Sequence, residues 1–341
     1  MSRRGPFHPL KRAWLARRDA FRPPPILANP HLQTVLGTTQ RPVRPVEGRR
    51  LELWTTPDGD RLRVHVVDPP DDPGPTALLV HGLEGSADSP YVHGLTRRLI
   101  DRGWGVVVFD QRSCGGQLNA APRLYHTGDT SDLDFVVRRL VERGPDRPLA
   151  LVGVSMGANQ ILKWLGTHPV PDQVQGAAAI CPPFDLTVSG PHMDRRQPWY
   201  VQYFLRRLIP KALAKERQFP GILDAARVRR ARTFRTFDDA ATAPLHGFSG
   251  ADHYYREASC GPHLGAIDRP VLLLAAADDP FNPAETLPTA LCRDHPSLIP
   301  RFVDRGGHVG FVDGRPGAFR YWMDEEVARF VGVLGEGPPG H

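Results

Sequence analysis

The apolar positions of this chain change their spacing near residue 75. Before that point, two β-rich runs, Leu51 to Thr56 and Leu62 to Val67, flank the turn-forming residues Pro57 to Asp60, which predicts an antiparallel hairpin at a sheet edge. After it, short continuous apolar runs alternate with stretches of helical period, the pattern of a parallel sheet covered on both faces. The predicted strands are Thr76 to Val80, Gly105 to Phe109, Leu149 to Val154, Gln175 to Ile180, Val271 to Ala275 and Ile299 to Val303. Helical spacing falls at Tyr91 to Asp101, Thr130 to Arg143, Met156 to Thr167, Ala284 to Arg293 and Ala318 to Val333. With the hairpin, these runs predict an α/β architecture: a mostly parallel eight-stranded sheet with helices on both faces.

One gap breaks the alternation. Roughly 85 residues (185 to 269) separate two consecutive strands, far above the usual connection length. Their centre, Trp199 to Ile209, is an aromatic and apolar helical run, and Phe234, Phe237, Phe248, Tyr254 and Tyr255 follow. This reads as a helical cap insertion that packs on the sheet and walls an apolar pocket. Residues 1 to 48 are rich in Pro and Arg with little periodicity, although Leu10, Trp14, Leu15 and Phe21 could form one amphipathic face. The expected organisation is an N-terminal arm (1–48), a core (49–184 and 270–335) and the cap (185–269).

Composition changes this picture little. The 36 Pro and 33 Gly are spread between apolar runs without a repeat, so they read as loop punctuation. The formal charge of +6 is concentrated in Arg3 to Arg22 and Arg195 to Arg235. That raises an anionic membrane or nucleic acid as partner, but a solvated basic surface is the simpler account. No basic face interleaved with stacking aromatics has the form of a nucleic-acid motif. Cys114, Cys181, Cys260 and Cys292 lack disulfide-framework or zinc spacing, which fits a reducing compartment. No signal-type or membrane-spanning apolar run appears, so a cytoplasmic location is expected.

Chemistry is carried by Gly153 to Gly157, a GxSxG sequence. The pattern can arise by chance in a Gly-rich chain, but here a buried strand precedes it and a helical run follows. A serine on so sharp a strand-to-helix turn needs flanking glycines, and the turn lifts its hydroxyl clear. Ser155 is therefore the candidate nucleophile. Such a serine needs a base oriented by an acid. Two carboxylates, Asp278 and Asp279, follow the strand at Val271, and His308 lies in the Gly306-Gly307 loop after the last strand. Sequence physics does not separate the aspartates. Asp279 is preferred, with Asp278 left to cap the turn before Pro280. The Met156 N–H and the Leu83 N–H, the latter in the turn His81 to Gly85, are the expected oxyanion donors. A metal reading of His81 and Glu84 lacks a second ligand cluster, and Cys114 lacks a strand-to-helix turn and reads as a loop residue near the pocket.

Together with Asn29 to Thr34, His81 to Ser86, Ser89 to Tyr91, Gln111 to Gly116, Phe237 to Asp239, Asp252 to Tyr255, Asp278 to Phe281 and Gly306 to Phe311, these residues resemble the YheT-like branch of the α/β-hydrolases (the hydrolase 4 family). Gln111 and Ser113 stand where relatives often carry Asn and Gly. The resemblance implies the α/β-hydrolase fold, a charge relay of Ser155, Asp279 and His308, and carboxylic ester hydrolysis on short to medium acyl esters or lipids. It also favours Asp279. A small-molecule ester or lipid is the expected partner, with no cofactor, no metal, no nucleic acid and no obligate protein partner; peripheral membrane contact stays open. The HxxxxD spacing from His308 to Asp313 resembles that of some acyltransferases and raises acyl transfer as an alternative, and a non-catalytic membrane-associated binding module is the other.

Overall fold

A computed structural model of the chain describes residues 8–17, 21–71, 73–315 and 317–335. The start of the basic stretch, including Arg3 and Arg4, lies outside these residues. Eight strands form one sheet: β1 (Arg50–Thr55), β2 (Arg61–Val67), β3 (Thr76–Val80), β4 (Gly105–Phe109), β5 (Leu149–Val154), β6 (Val174–Ile180), β7 (Val271–Ala276) and β8 (Leu298–Val303), in the order β1-β2-β4-β3-β5-β6-β7-β8. The β1-β2 hairpin is antiparallel and β2 runs antiparallel to β4; all other pairs are parallel. The parallel strands β3 to β7 are buried almost throughout, so their side chains read as continuous apolar runs rather than as alternation.

Two hydrophobic layers result, one on each face of the sheet. Helices α1 (His8–Leu15), α2 (Pro30–Thr39) and α3 (Pro90–Ile100) precede α4 (Ser131–Arg143) and α5 (Met156–Thr167) in the chain. Six α-helices occupy the excursion between β6 and β7: α6 (Leu186–Arg196), α7 (Pro198–Gln218), α8 (Ala225–Arg230), α9 (Phe234–Phe237), α10 (Ala243–His246) and α11 (Ala251–Ala258). They bury an apolar cluster of their own around Val201, Leu205, Val228 and Phe237. Helices α12 (Thr289–Asp294) and α13 (Trp322–Gly335) complete the chain. Among the described residues no helix is long and apolar enough to cross a membrane.

Three sequence expectations need correction. The helix expected over Ala284 to Arg293 is a single 3-10 turn (Ala284–Thr286) followed by the short α12, because Pro288 cannot donate a helical hydrogen bond and holds Leu287 extended. The closing helix begins at Trp322, not Ala318: Ala318–Tyr321 pairs antiparallel with Val312–Arg315 in a separate hairpin of strands β9 and β10. The N-terminal segment, read as an arm with little periodicity beyond one short amphipathic face, contains α2 and packs on the domain. Trp14 and Phe21 are buried in the same layer as α13, whereas Leu15 points to solvent. Asn29 starts α2 by accepting the N–H groups of His31 and Leu32, with Pro30 at the first helical position.

Candidate active site

The parallel strands deliver their C-terminal ends to one rim of the sheet, and four loops meet there. At the end of β5, Ser155 adopts φ 54° and ψ −117°, a conformation that non-glycine residues rarely hold. Its N–H donates to the Ile180 carbonyl at 2.7 Å. The flanking glycines are required by space: a Cβ at Gly157 would lie 2.2 Å from the Val80 carbonyl oxygen, and one at Gly153 2.6 Å from the Ala158 Cα. The turn can form only where both positions lack a side chain.

From the loop after β8, His308 places Nε2 at 2.9 Å from the Ser155 Oγ and Nδ1 at 2.8 Å from Asp279 Oδ2. With its Nδ1–H donated to the carboxylate, the imidazole presents Nε2 as acceptor for the serine hydroxyl, the arrangement in which it can take that proton. The ring stacks on Phe281, centroids 4.2 Å apart, and both His308 and Asp279 are buried. Asp279 is itself held: Oδ1 accepts the Phe281 N–H at 2.7 Å, and Oδ2 accepts the Asn282 Nδ2–H at 3.2 Å. The expected task of Asp278 is corrected here. Asp279 caps the turn at Pro280, while Asp278 Oδ1 accepts the N–H groups of Gly306 and Gly307 at 2.8 and 2.9 Å and so anchors the histidine loop. Burial pushes the Asp278 carboxyl above its ordinary range.

Across from the serine lies the turn after β3. The Gly82 N–H donates to the Tyr91 hydroxyl, the Glu84 N–H to the Tyr125 hydroxyl and the Gly85 N–H to the Gly82 carbonyl. Among the described residues the Leu83 N–H has no acceptor. Glu84 sits at φ 56°, and its carboxylate accepts hydrogen bonds from the Tyr125 hydroxyl and from Lys211 of α7, both at 2.6 Å. His81 is buried beneath, its Nδ1 2.8 Å from the Gly82 carbonyl oxygen and its Nε2 accepting the Gln111 N–H; burial lowers its pKa. His81 and Glu84 are thus spent on bracing the turn.

Residues 75–315 match the family of the α/β-hydrolase fold. Over 309 residues the chain is 35% identical to a protein of Escherichia coli (strain K12) named "Putative esterase YheT", covering 88% of this chain and 89% of that one. The chain belongs to the α/β-hydrolases, in their YheT-like branch. The human protein named "Phospholipase ABHD3" is 28% identical over 301 residues, which cover 86% of this chain and 73% of that one. Among solved structures the Pyrococcus furiosus esterase Pf2001 superposes with a TM-score of 0.56 at 18% identity, covering 86% of this chain and 96% of that one, a likeness of fold.

In this α/β-hydrolase, Ser155, His308, Leu83 and Met156 all line a single cavity of about 580 Å³, within the range of ligand-binding pockets. Apolar side chains of the excursion form much of its wall, among them Met193, Phe204, Leu208, Phe234 and Phe237. Tyr254 and Tyr255 also line it. Phe248 does not; it packs instead against His126 and Tyr254. Cys114 lies beside Tyr125 and Met156, and burial pushes its thiol up to about 12. Asp313 stands on β9, paired with Arg320 at 2.6 Å, and does not reach the cavity. Cys181, Asp279 and His308 have potential ligand atoms within 4.8 Å of one another, but the Cys181 thiol is raised well above its ordinary pKa by burial and accepts the Val309 N–H.

Sequence reasoning missed the part played by α2. The Thr34 hydroxyl oxygen accepts the His308 N–H at 2.9 Å and donates to the Pro30 carbonyl. The Gln33 amide donates to the carbonyls of Leu27 and Val312 and accepts the Val312 N–H. Asn29 to Thr34 carried a family resemblance in the sequence, but nothing in their spacing linked them to a loop some 270 residues away.

Proposed function

We propose that this chain hydrolyses carboxylic esters by acyl transfer through Ser155. The class of reaction, carboxylic ester hydrolysis, is that of its family. The observation that carries the finer reading is the unbroken chain from Ser155 Oγ to His308 to Asp279, at 2.9 and 2.8 Å, opening into an apolar cavity.

As the serine oxygen attacks the ester carbonyl, His308 Nε2 takes its proton and Asp279 stabilises the imidazolium. The carbonyl oxygen becomes an oxyanion, held by the N–H groups of Met156 and Leu83. Met156 opens α5, so its N–H is one of the unpaired donors at a helix N-terminus. His308 then gives its proton to the departing alkoxide, and the alcohol leaves. Water, deprotonated by the same imidazole, attacks the acyl-serine and releases the acid. In this reading residues 185–269 form a cap whose apolar wall receives the acyl chain. No metal or organic cofactor enters the reaction.

The test is turnover of p-nitrophenyl esters of rising acyl length by the wild type and by Ser155→Ala. The variant is expected to lose roughly 10³-fold to 10⁶-fold in kcat and all labelling by a fluorophosphonate probe, with melting temperature preserved. Retained turnover would remove Ser155 from the reaction.

A further inference from the structure

The cavity opens where its lining residues are also exposed to solvent, and that mouth lies between two helices. On α7, Trp199 and Tyr203 line the cavity yet are 52% and 51% exposed; on α2, Val35 lines it and is 38% exposed. Exposed apolar side chains also occur elsewhere on the chain, as at Ile26 and Leu53, but here they are contiguous with the entrance to the site. The two helices are tied together at this edge, His31 of α2 lying 5.9 Å from Tyr200 and 5.8 Å from Trp199, ring to ring. Leu32 and Val35 are exposed one turn apart on the outer face of α2. Trp199 and Tyr203 fall four residues apart, on one side of α7.

Charge distinguishes this rim from an ordinary apolar patch. Helix α2 contains no Asp, Glu, Lys or Arg, and the first thirteen residues of α7 contain Arg206 and Arg207 as their only charged side chains. Both arginines are exposed, neither is ion-paired among the described residues, and the Arg207 guanidinium lies over the Tyr203 ring at 4.0 Å. Aromatic rings beside basic side chains on one solvent-facing helix surface suit the boundary of an anionic bilayer, where the rings enter the headgroup level and the guanidiniums meet phosphate. An entrance placed there would receive a lipid ester without that ester crossing bulk water.

We infer that the rim formed by α2 and the exposed face of α7 docks on the surface of an anionic phospholipid bilayer, so that the cavity is loaded from the membrane. This rests on the ester-hydrolase reading for its purpose but not for its test. Co-sedimentation with phosphatidylglycerol and with phosphatidylcholine vesicles is measured on the Ser155→Ala protein, which needs no turnover. Binding to phosphatidylglycerol vesicles that weakens as salt rises is expected, with little binding to phosphatidylcholine. Adding Arg206→Glu with Arg207→Glu, or Trp199→Ser with Tyr203→Ser, should weaken that binding at least about 10-fold. In the active protein, Arg206→Glu with Arg207→Glu should leave turnover of a short, water-soluble p-nitrophenyl ester within about twofold of wild type, since neither residue lines the cavity. Absence of vesicle binding, or binding indifferent to both pairs of substitutions, overturns the docking surface even if soluble esters are hydrolysed. Vesicle binding of the expected kind without ester turnover by the unsubstituted chain would instead remove the catalytic reading and leave the surface standing.

Discussion

The turn that carries Ser155 and the loop that carries His308 are both strained, and they are held in opposite ways. Ser155 sits at φ 54°, and Val309 and Phe311 beside the histidine at 59° and 48°. Such conformations cost on the order of 1–3 kcal/mol each and persist only where the surroundings impose them. Around Ser155 the imposing groups are near in sequence or part of the adjoining strands: the glycines on either side, the first turn of α5, and the ends of β3 and β6. The histidine loop is held from afar, by Thr34 on its backbone, by Gln33 at Val312, and by Asp278 at Gly306 and Gly307. A Cβ at Gly307 would lie 2.4 Å from the Pro30 carbonyl oxygen, and one at Gly310 2.5 Å from the Gly306 carbonyl oxygen and 2.7 Å from the Gln33 carbonyl carbon, so α2 is pressed directly onto the loop. The nucleophile candidate is positioned by its own strand and helix, whereas its partner imidazole depends on α2 and on Asp278, both distant in the chain.

The largest expected effect separates the two aspartates at the end of β7. Asp279→Asn should lower kcat about 10⁴-fold, because an amide favours the wrong imidazole tautomer. Asp278→Asn should cost far less, since its oxygen can still accept from Gly306 and Gly307. Equal losses, measured as kcat on one ester, would mean that the histidine loop and not the acid is what these residues supply. Next in size is Gly157→Ala, which drives a methyl against the Val80 carbonyl and should destabilise the fold by about 1–3 kcal/mol while reducing activity through the serine turn. Denaturant midpoint and kcat, measured together, check it.

These contrasts also mark what could be read without coordinates. Five parallel strands, β3 to β7, were visible because burial on both faces leaves unbroken apolar runs, and the Gly153 to Gly157 turn because its requirements are written in five adjacent residues. The choice between Asp278 and Asp279 was not legible from the residues alone; it depends on which carboxylate the turn at Pro280 directs toward the rim, and the structure puts Asp279 against His308. Helix α2 was misjudged because Pro30, Gly37 and four hydroxyl or amide side chains blur its period, and its reason for existing is a contact across the whole chain. Strand β10 was mistaken for the start of the closing helix because a four-residue strand carries too few positions to show alternation.

Smaller effects sharpen the claim that α2 holds the imidazole. Thr34→Val removes the acceptor for the His308 N–H and should cost about 1–3 kcal/mol of stability. Misplacing the ring even slightly should also reduce kcat by roughly 10-fold to 100-fold with little change in KM. Thr34→Ser, which restores the hydroxyl, should recover most of both. If Thr34→Val kept full kcat, the histidine loop would have to be as self-sufficient as the serine turn.

The smallest effect is a pH dependence at the other brace. The Asp278 carboxyl is buried, and burial raises its pKa in the folded protein above the value it takes unfolded. A carboxyl raised in this way binds its proton more tightly when folded, so it contributes stability below its unfolded pKa of about 3.9, and that contribution is lost as pH climbs through the folded value. The Asp278→Asn protein lacks the ionisation but keeps an acceptor for Gly306 and Gly307. Its stability relative to wild type should therefore increase as pH rises from about 4 toward neutrality and level off once the wild-type carboxyl is ionised. Denaturation midpoints of both proteins across that interval measure the difference. A constant difference would mean that Asp278 titrates alike folded and unfolded, and that the two N–H groups it accepts offset the cost of its burial.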